Sequence, residues 1–279
     1  MDFEKINRRW IYGLTLSVFG RNLVTYIIIA AVSALFGIGQ AILPFIGLVT
    51  WPITIYLGVV SFMVVHKSIL TNEVITPGEA FAITPELKTY FWQYIFIFGI
   101  PLFVAIIGAI LIFMARDREF DIDIAMWTVG GVSALFYYIA MSLFGNSLPA
   151  TALKADGMMM LSRGKATFFY SFFRLIMLPL LPVVALLGGI FYLLTTSSEE
   201  SMVAVSDWLM SLGSEPVFSI LAFYTVLQLL VILLNTITAV IITKAFLLAE
   251  VRLALQGEVT QWAGRNFGIE TAQRGVIYK

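Results

Sequence analysis

Between Arg21 and Lys67 the chain passes through 45 residues without one formally charged side chain. Few folds can use such a stretch. A helix needs about 20 apolar residues to cross a hydrocarbon core, so this run accommodates two helices and a tight turn. Gly37, Gly39, Gln40 and Pro44 supply turn residues near its middle. Four further gaps, Lys88 to Arg116, Asp123 to Lys154, Arg174 to Glu199 and Glu215 to Lys244, hold 27, 30, 24 and 28 uncharged residues, one helix each. Backbone groups in lipid must be satisfied within the spanning segment, which long apolar helices achieve. The pattern predicts an all-α polytopic membrane protein with six transmembrane helices. The spans fall near 21–38, 44–65, 90–114, 124–148, 167–194 and 217–243, in one membrane domain over 1–257 followed by a tail at 258–279.

Composition narrows the function classes. Apolar residues make up 60% of the chain and charged residues 12%, against about 25% charged in soluble domains. The 17 cations are scattered and the net charge is zero, so there is no basic stripe to displace counterions and no nucleic-acid partner is expected. The absence of cysteine excludes disulfides, thiolate catalysis and cysteine-ligated zinc. His66 is the one histidine. Ser61, five residues earlier on the same helix, points about 140° away around the axis, so the two do not form a dyad. No H-E-x-x-H, G-x-S-x-G or Walker sequence occurs. The expectation is therefore no enzyme: no catalytic residue, no metal and no cofactor. The first apolar run begins only after Asn22 and continues well past signal-peptide length, so no cleavable signal is expected. No lipidation motif is present.

Six spans place both termini on one side of the membrane. Sorted that way, 15 of the 17 Lys and Arg residues fall on the terminal side, and only Arg116 and Arg118 lie opposite. The acids show no such bias, with nine against eight. Cations resist translocation, so both termini are expected in the cytoplasm.

Residues 2–18 place Phe3, Ile6, Trp10 and Leu14 on one helical face, with Lys5, Arg8 and Arg9 turned elsewhere, which predicts an interfacial helix before span one. A second amphipathic helix is expected before span five. Leu16-Ser-Val-Phe-Gly-Arg-Asn, Phe81-Ala-Ile-Thr-Pro-Glu-Leu and Leu161-Ser-Arg-Gly-Lys-Ala each precede a span, which suggests three parallel units of entry helix plus hairpin. Pro52, Pro101, Pro179 and Pro182 lie inside spans and each removes a backbone donor, giving either simple curvature or a hinge. Ala30 with Ala34, Ala105 with Ala109, Gly130 with Ala134, and Gly188 with Gly189 mark expected close helix contacts. Trp51, Trp92, Trp127, Tyr90, Tyr94, Phe168, Phe169 and Tyr170 lie near span ends, where aromatic rings settle at the headgroups.

Several residues are candidates for function. Arg174 lies inside span five, where an ionisable group is either a site or a side chain that snorkels to the interface. Lys244 reads as an interface residue. Gln93, Asn146, Gln228, Asn235, Thr236 and Thr238 read as interhelical hydrogen-bonding groups, or, for Gln228 and Asn235 together with Arg174, as the lining of a polar solute path. Asp117, Glu119, Asp121 and Asp123 alternate in the loop between spans three and four, either as a solvated acidic loop or as ligands for a hard cation, though without the EF-hand spacing. In the loop after span five, Ser198 caps an expected helix ending at Gly213, with Met202, Val205, Trp208, Leu209 and Leu212 on one face.

Leu148-Pro149-Ala-Thr-Ala-Leu-Lys-Ala-Asp-Gly, followed by Met160-Leu161-Ser162-Arg163-Gly164-Lys165 and Phe173-Arg174-Leu175, resembles a pattern in bacterial six-helix inner-membrane proteins of the YciC type. It also resembles the membrane domain that precedes the catalytic part of some bacterial glycerophosphodiester phosphodiesterases. The resemblance implies six helices and an Arg-Gly-Lys turn entering span five. It implies no phosphodiesterase activity, because the chain ends soon after Gly257, and no known binding residues. The expected function is a non-enzymatic inner-membrane protein that organises lipid or a membrane protein complex through interfacial helices. Arg8, Arg9, Arg163 and Lys165 would contact anionic headgroups or a partner. Membrane lipids, and an integral membrane protein, are the expected partners. The alternative is a small-solute transporter or permease with its path near Arg174, Gln228 and Asn235.

Overall fold

The structure is a computed structural model and describes residues 10–42, 47–114, 122–152, 165–196, 207 and 217–255. Among these the chain is all-α. Its helices are α1 (Ile11–Arg21), α2 (Leu23–Ile42), α3 (Gly47–Thr71), α4 (Pro77–Phe81), α5 (Pro85–Met114), α6 (Ile122–Phe144), α7 (Ser147–Ala152), α8 (Lys165–Thr196) and α9 (Val217–Leu255). Six of them, α2, α3, α5, α6, α8 and α9, contain stretches long and apolar enough to cross a membrane. The chain is an integral membrane protein of six candidate spans. The face at which α2 begins and α3 and α9 end is called the entry side here; α5 ends and α6 begins at the far side.

Helix ends follow local chemistry. Asn72, with φ at 59°, takes the left-handed position just past Thr71, which asparagine tolerates and which stops α3. Thr76 and Glu79 form a capping box, with Pro77 in the first turn, to start α4. Thr84 then receives the Leu87 amide at 3.2 Å, with Pro85 opening α5. Helix α5 therefore begins five residues before the expected start of span three. Likewise α3 runs to Thr71 rather than 65, whereas α9 continues to Leu255, as the helical run through Glu250 and Arg252 toward Gly257 predicts. The four intraspan prolines lie within continuous helices.

Helix α9 is the hub of the bundle and packs against α1, α2, α3, α7 and α8. Its entry-side half, Thr236 to Leu247, is buried without interruption, whereas Ala222 to Val231 is half-buried or exposed. The same division runs through α5 and α6. Leu87, Tyr90, Gln93, Ile97 and Pro101 of α5 face the core at helical spacing; beyond them Phe103, Leu111 and Phe113 are exposed. In α6 burial begins only at Ala140.

Two expected sets of contacts differ. Tyr90 and Tyr94 are not headgroup anchors: Tyr90 is fully buried and Tyr94 packs against Phe62, because the 3.6-residue period puts them on the same face as Ile97 and Pro101. Trp51, Trp92 and Trp127 are exposed as anchors require. Ala30 and Ala34 are buried contacts, but Gly130, Ala134 and Ala109 are exposed. The close approach between α5 and α6 is at Gly108, where an added Cβ would come within 2.6 Å of Val129.

Candidate functional site at the entry side

The entry side concentrates both the charges and the buried polar groups. Six charged residues lie inside the span segments: Lys67, Glu86, Lys88, Arg174 and Lys244 toward the entry side, and Asp123 at the far end. Four cations thus ring one end of the bundle, at depths of up to about 10 Å by helical rise.

At the same end the helices are tied by hydrogen bonds. Asn22 is buried between α1 and α2, and its amide donates to Val18 O at 2.9 Å and to Ser68 Oγ at 3.0 Å. Its Oδ1 accepts from the Ile75 amide at 2.8 Å. Thr25 Oγ1 donates to Ile75 O at 2.8 Å, Ser68 Oγ to Glu73 O at 2.9 Å, and Arg21 to Asn72 Oδ1 at 3.0 Å. The 72–76 loop is therefore clamped onto the start of span one, with its buried backbone satisfied by side chains.

Helix α1 is tied in as well. Ile11, Leu14, Thr15 and Val18 form its buried stripe. Trp10, expected on the apolar face with Leu14, is 71% exposed. The hydroxyl of Tyr12 donates to Leu178 O at 2.7 Å. In an uninterrupted helix that carbonyl would receive the amide of residue 182, but Pro182 has none. Tyr12 thus supplies the donor the proline removes. This joins the N-terminal helix to span five.

Deeper in the bundle, His66 Nδ1 lies 2.7 Å from Thr243 Oγ1. Thr243 commits its single hydroxyl proton to Ala239 O at 2.8 Å, so it accepts from Nδ1–H and leaves Nε2 as a bare acceptor. Nε2 and the nearby Tyr90 hydroxyl have no hydrogen-bond partner among the described residues; their rings are 5.9 Å apart. Ser61, as expected, does not meet His66; its hydroxyl donates to Gly58 O at 2.7 Å. Gln93 accepts from Thr151 at 2.8 Å, joining α5 to α7, while Thr236 and Thr238 bond back to their own helix at Ile232 and Leu234. A hollow lined by Val60, Met63, Lys67, Glu79 and Leu87 holds about 10 Å³, room for one water and no larger solute.

Arg174 is exposed on the side of α8. Its guanidinium folds back one turn toward the entry side, with Cζ 3.9 Å from the Tyr170 ring centroid and Nη1 donating to Tyr170 O at 3.3 Å. This is snorkelling, with a cation–π contact fixing the head. Arg174 lies on α8, which packs against α9, the helix that carries Lys244. Asn235 is nine residues farther along α9 than Lys244, about 13 Å, and Gln228 another two turns beyond. Both are half-buried. The structure thus brings Arg174 to the level of Lys244, away from Gln228 and Asn235.

Lys165 opens α8, but its side chain, together with Arg8, Arg9 and Arg163, lies outside the described residues, as does the whole stretch between α7 and α8. Asp117, Glu119 and Asp121, and the expected helix from Ser198 to Gly213 apart from Asp207, also lie outside them. Two features went unpredicted although their signals were legible. Thr76-Pro-Gly-Glu79 is a capping-box sequence, and Pro182 announces a free carbonyl at Leu178. That Tyr12 fills the latter is a tertiary fact. Comparison with protein-family profiles, with curated proteins and with solved structures returned no match in any of the three.

Proposed function

We propose that this is a non-catalytic integral membrane protein that organises anionic lipid, and through it a membrane protein partner, at the entry side of its bundle. One observation carries the reading: Lys67, Lys88, Arg174 and Lys244 all sit at the same end of their spans, with only Asp123 at the other. A ring of cations at headgroup depth attracts an anionic leaflet. Exposed Trp92, Phe169 and Phe173 supply the aromatic surface that settles there. Arg8, Arg9, Arg163 and Lys165 would extend the same field. By the retention of cations the entry side is cytoplasmic and the membrane is the bacterial inner membrane, in keeping with the resemblance to YciC-type proteins. The position of Arg174, on the outer surface of α8 and distant from Gln228 and Asn235, favours lipid over a solute path.

The test is extraction in polymer nanodiscs without detergent, followed by native mass spectrometry. Enrichment of anionic lipid over the bulk membrane, reduced when Arg8, Arg9, Arg163 and Lys165 are changed together to Gln, is the expected result. Lipid of bulk composition would sink the reading, and a stoichiometric small polar solute would replace it with transport.

A further inference from the structure

From Trp10 to Gly20 the chain carries no charged residue, so α1 has no charged face to turn toward water. Its inner face, Ile11, Leu14, Thr15 and Val18, is buried against the bundle. Its outer face is apolar as well. Leu16 is 63% exposed, and Gly13 and Gly20 on the same side have open space where a Cβ would stand. The hydroxyl of Ser17, at the margin of that face, is occupied by Arg21 at 3.2 Å. A helix lying at the interface needs a polar face for the aqueous side, and Arg21, the last residue of α1, is the first charge it supplies.

The depth of the first turn follows from Tyr12. Its hydroxyl meets Leu178 O at 2.7 Å. Leu178 lies eight residues beyond Tyr170, about 12 Å along α8, and Tyr170 marks the level toward which the exposed Arg174 guanidinium retreats. A tyrosine side chain spans little more than one helical turn, about 5.4 Å, so the backbone of Tyr12 itself stands below that level. The α8 surface beside Leu178 is lipid-facing, with Met177 and Leu181 more than half exposed. In hydrocarbon no water can satisfy the carbonyl that Pro182 leaves open. The donor has to come from protein at that depth, and α1 brings it.

We propose that α1 lies inside the entry-side leaflet as a short embedded helix, with lipid acyl chains covering the face formed by Gly13, Leu16 and Gly20. Its 11 residues span about 16 Å, too short to cross a core of about 30 Å, so it enters the leaflet without traversing it. The inference goes beyond the headgroup reading and does not depend on it, since acyl chains are the ligand whatever charge the headgroup carries.

The chain has no cysteine, so single cysteines can carry a nitroxide in the full chain reconstituted into vesicles of phosphatidylcholine alone. Collision of the nitroxide with oxygen reports hydrocarbon, and collision with a water-soluble nickel chelate reports the aqueous phase. The oxygen-to-nickel ratio at Leu16→Cys is expected to match that at Met177→Cys, on the exposed face of α8, and to exceed severalfold that at Gly78→Cys in exposed α4. Should Leu16→Cys fail to fold, Gly13→Cys, where an added side chain meets open space, reads the same face. A ratio equal to that at Gly78→Cys overturns the embedded position and returns α1 to the membrane surface. A label shielded from both reagents overturns it equally, by placing protein where acyl chains are assigned.

Discussion

The entry-side and far-side halves of this bundle are made of the same helices but are held by different forces. Within an 18-residue apolar window of the second span 67% of residues are buried, and within those of the third, fourth and fifth only 11%. The difference arises because α5, α6 and α8 join the core at one end only. At the entry side Asn22, Ser68, His66, Thr243, Gln93 and Thr151 pair across helices, and α9 is surrounded. On the far side Phe103, Leu111, Val132 and Phe136 are exposed, and α5 and α6 mainly accompany one another. Lipid tails are as apolar as these side chains, so the hydrophobic effect provides no reason for the far halves to close. Directional hydrogen bonds and close packing are what remain, and they are gathered at the entry side.

The largest test of this contrast is Asn22→Leu. It leaves the buried Ile75 amide without its acceptor and unpins the 72–76 loop, for an expected loss of about 3 kcal/mol in reversible unfolding in mixed micelles. Leu111→Ala, on the exposed far half, should stay within about 0.5 kcal/mol; comparable losses would abolish the distinction. Glycines of one helix system sharpen it next. An added Cβ at Gly145 would collide with the Met141 carbonyl and meet Ile242 at 3.0 Å, so Gly145→Ala should cost about 2–3 kcal/mol. Gly130, whose Cβ would have open space, should be neutral or gain about 0.5 kcal/mol as alanine.

Tyr12→Phe should cost about 1–2 kcal/mol by stranding the Leu178 carbonyl. In a Pro182→Ala background, where an amide is restored to that position, the same change should cost measurably less, and a double-mutant cycle reads the difference. Additive effects would show that the proline is not what Tyr12 answers. Gly108→Ala probes the tight approach of α5 to α6 on the far side. Both Val129 methyls would stand 2.6 Å from the new Cβ and a β-branched side chain has no flexible end to give, so the two helices must part and a loss of about 1–2 kcal/mol is expected; a larger one would show the far half to be more closely locked than its exposure implies.

The smallest expected effect is a pH dependence at α4. Hydrogen bonds from the Thr76 amide and hydroxyl, with help from Lys67, hold the Glu79 carboxyl below its ordinary value of 4.5. A group whose folded-state value is depressed stabilises above the unfolded value and loses that contribution as pH falls through the folded one. Hydrogen exchange at the amides of 79–81, corrected for intrinsic rate, should therefore lose protection below about pH 4.5 in wild type. Glu79→Gln should show a flat profile. A matching decline in both would assign the effect elsewhere.

Much of the architecture could be read directly from the sequence, because one strong force sets it. Charge-free runs of span length have a single inexpensive conformation in lipid, and that alone implies an all-α chain of six spans. Aromatic anchors were legible where the ring stands at a helix end and nothing competes for it, as at Trp127. Tyr90 shows where such reading stops: its position near a span end suits an anchor, but the phase of α5 turns it inward to His66. Small residues misled in the same way. Gly130 and Ala134 have contact spacing yet face outward, and Gly108 makes the close approach, since spacing marks a stripe without saying which stripe meets a neighbour.

What the sequence by itself determined is the solvent of each segment: which stretches enter lipid and which end of the spans gathers cations. Both follow from transfer free energies of individual side chains and need no partner. The tertiary structure decided which groups meet. It placed Arg174 at the depth of Lys244 rather than of Asn235, brought Thr243 to His66 across 177 positions, and set Tyr12 on a carbonyl that Pro182 leaves open. Those pairings depend on helix phase, tilt and depth together, and residue spacing along one chain carries only the first.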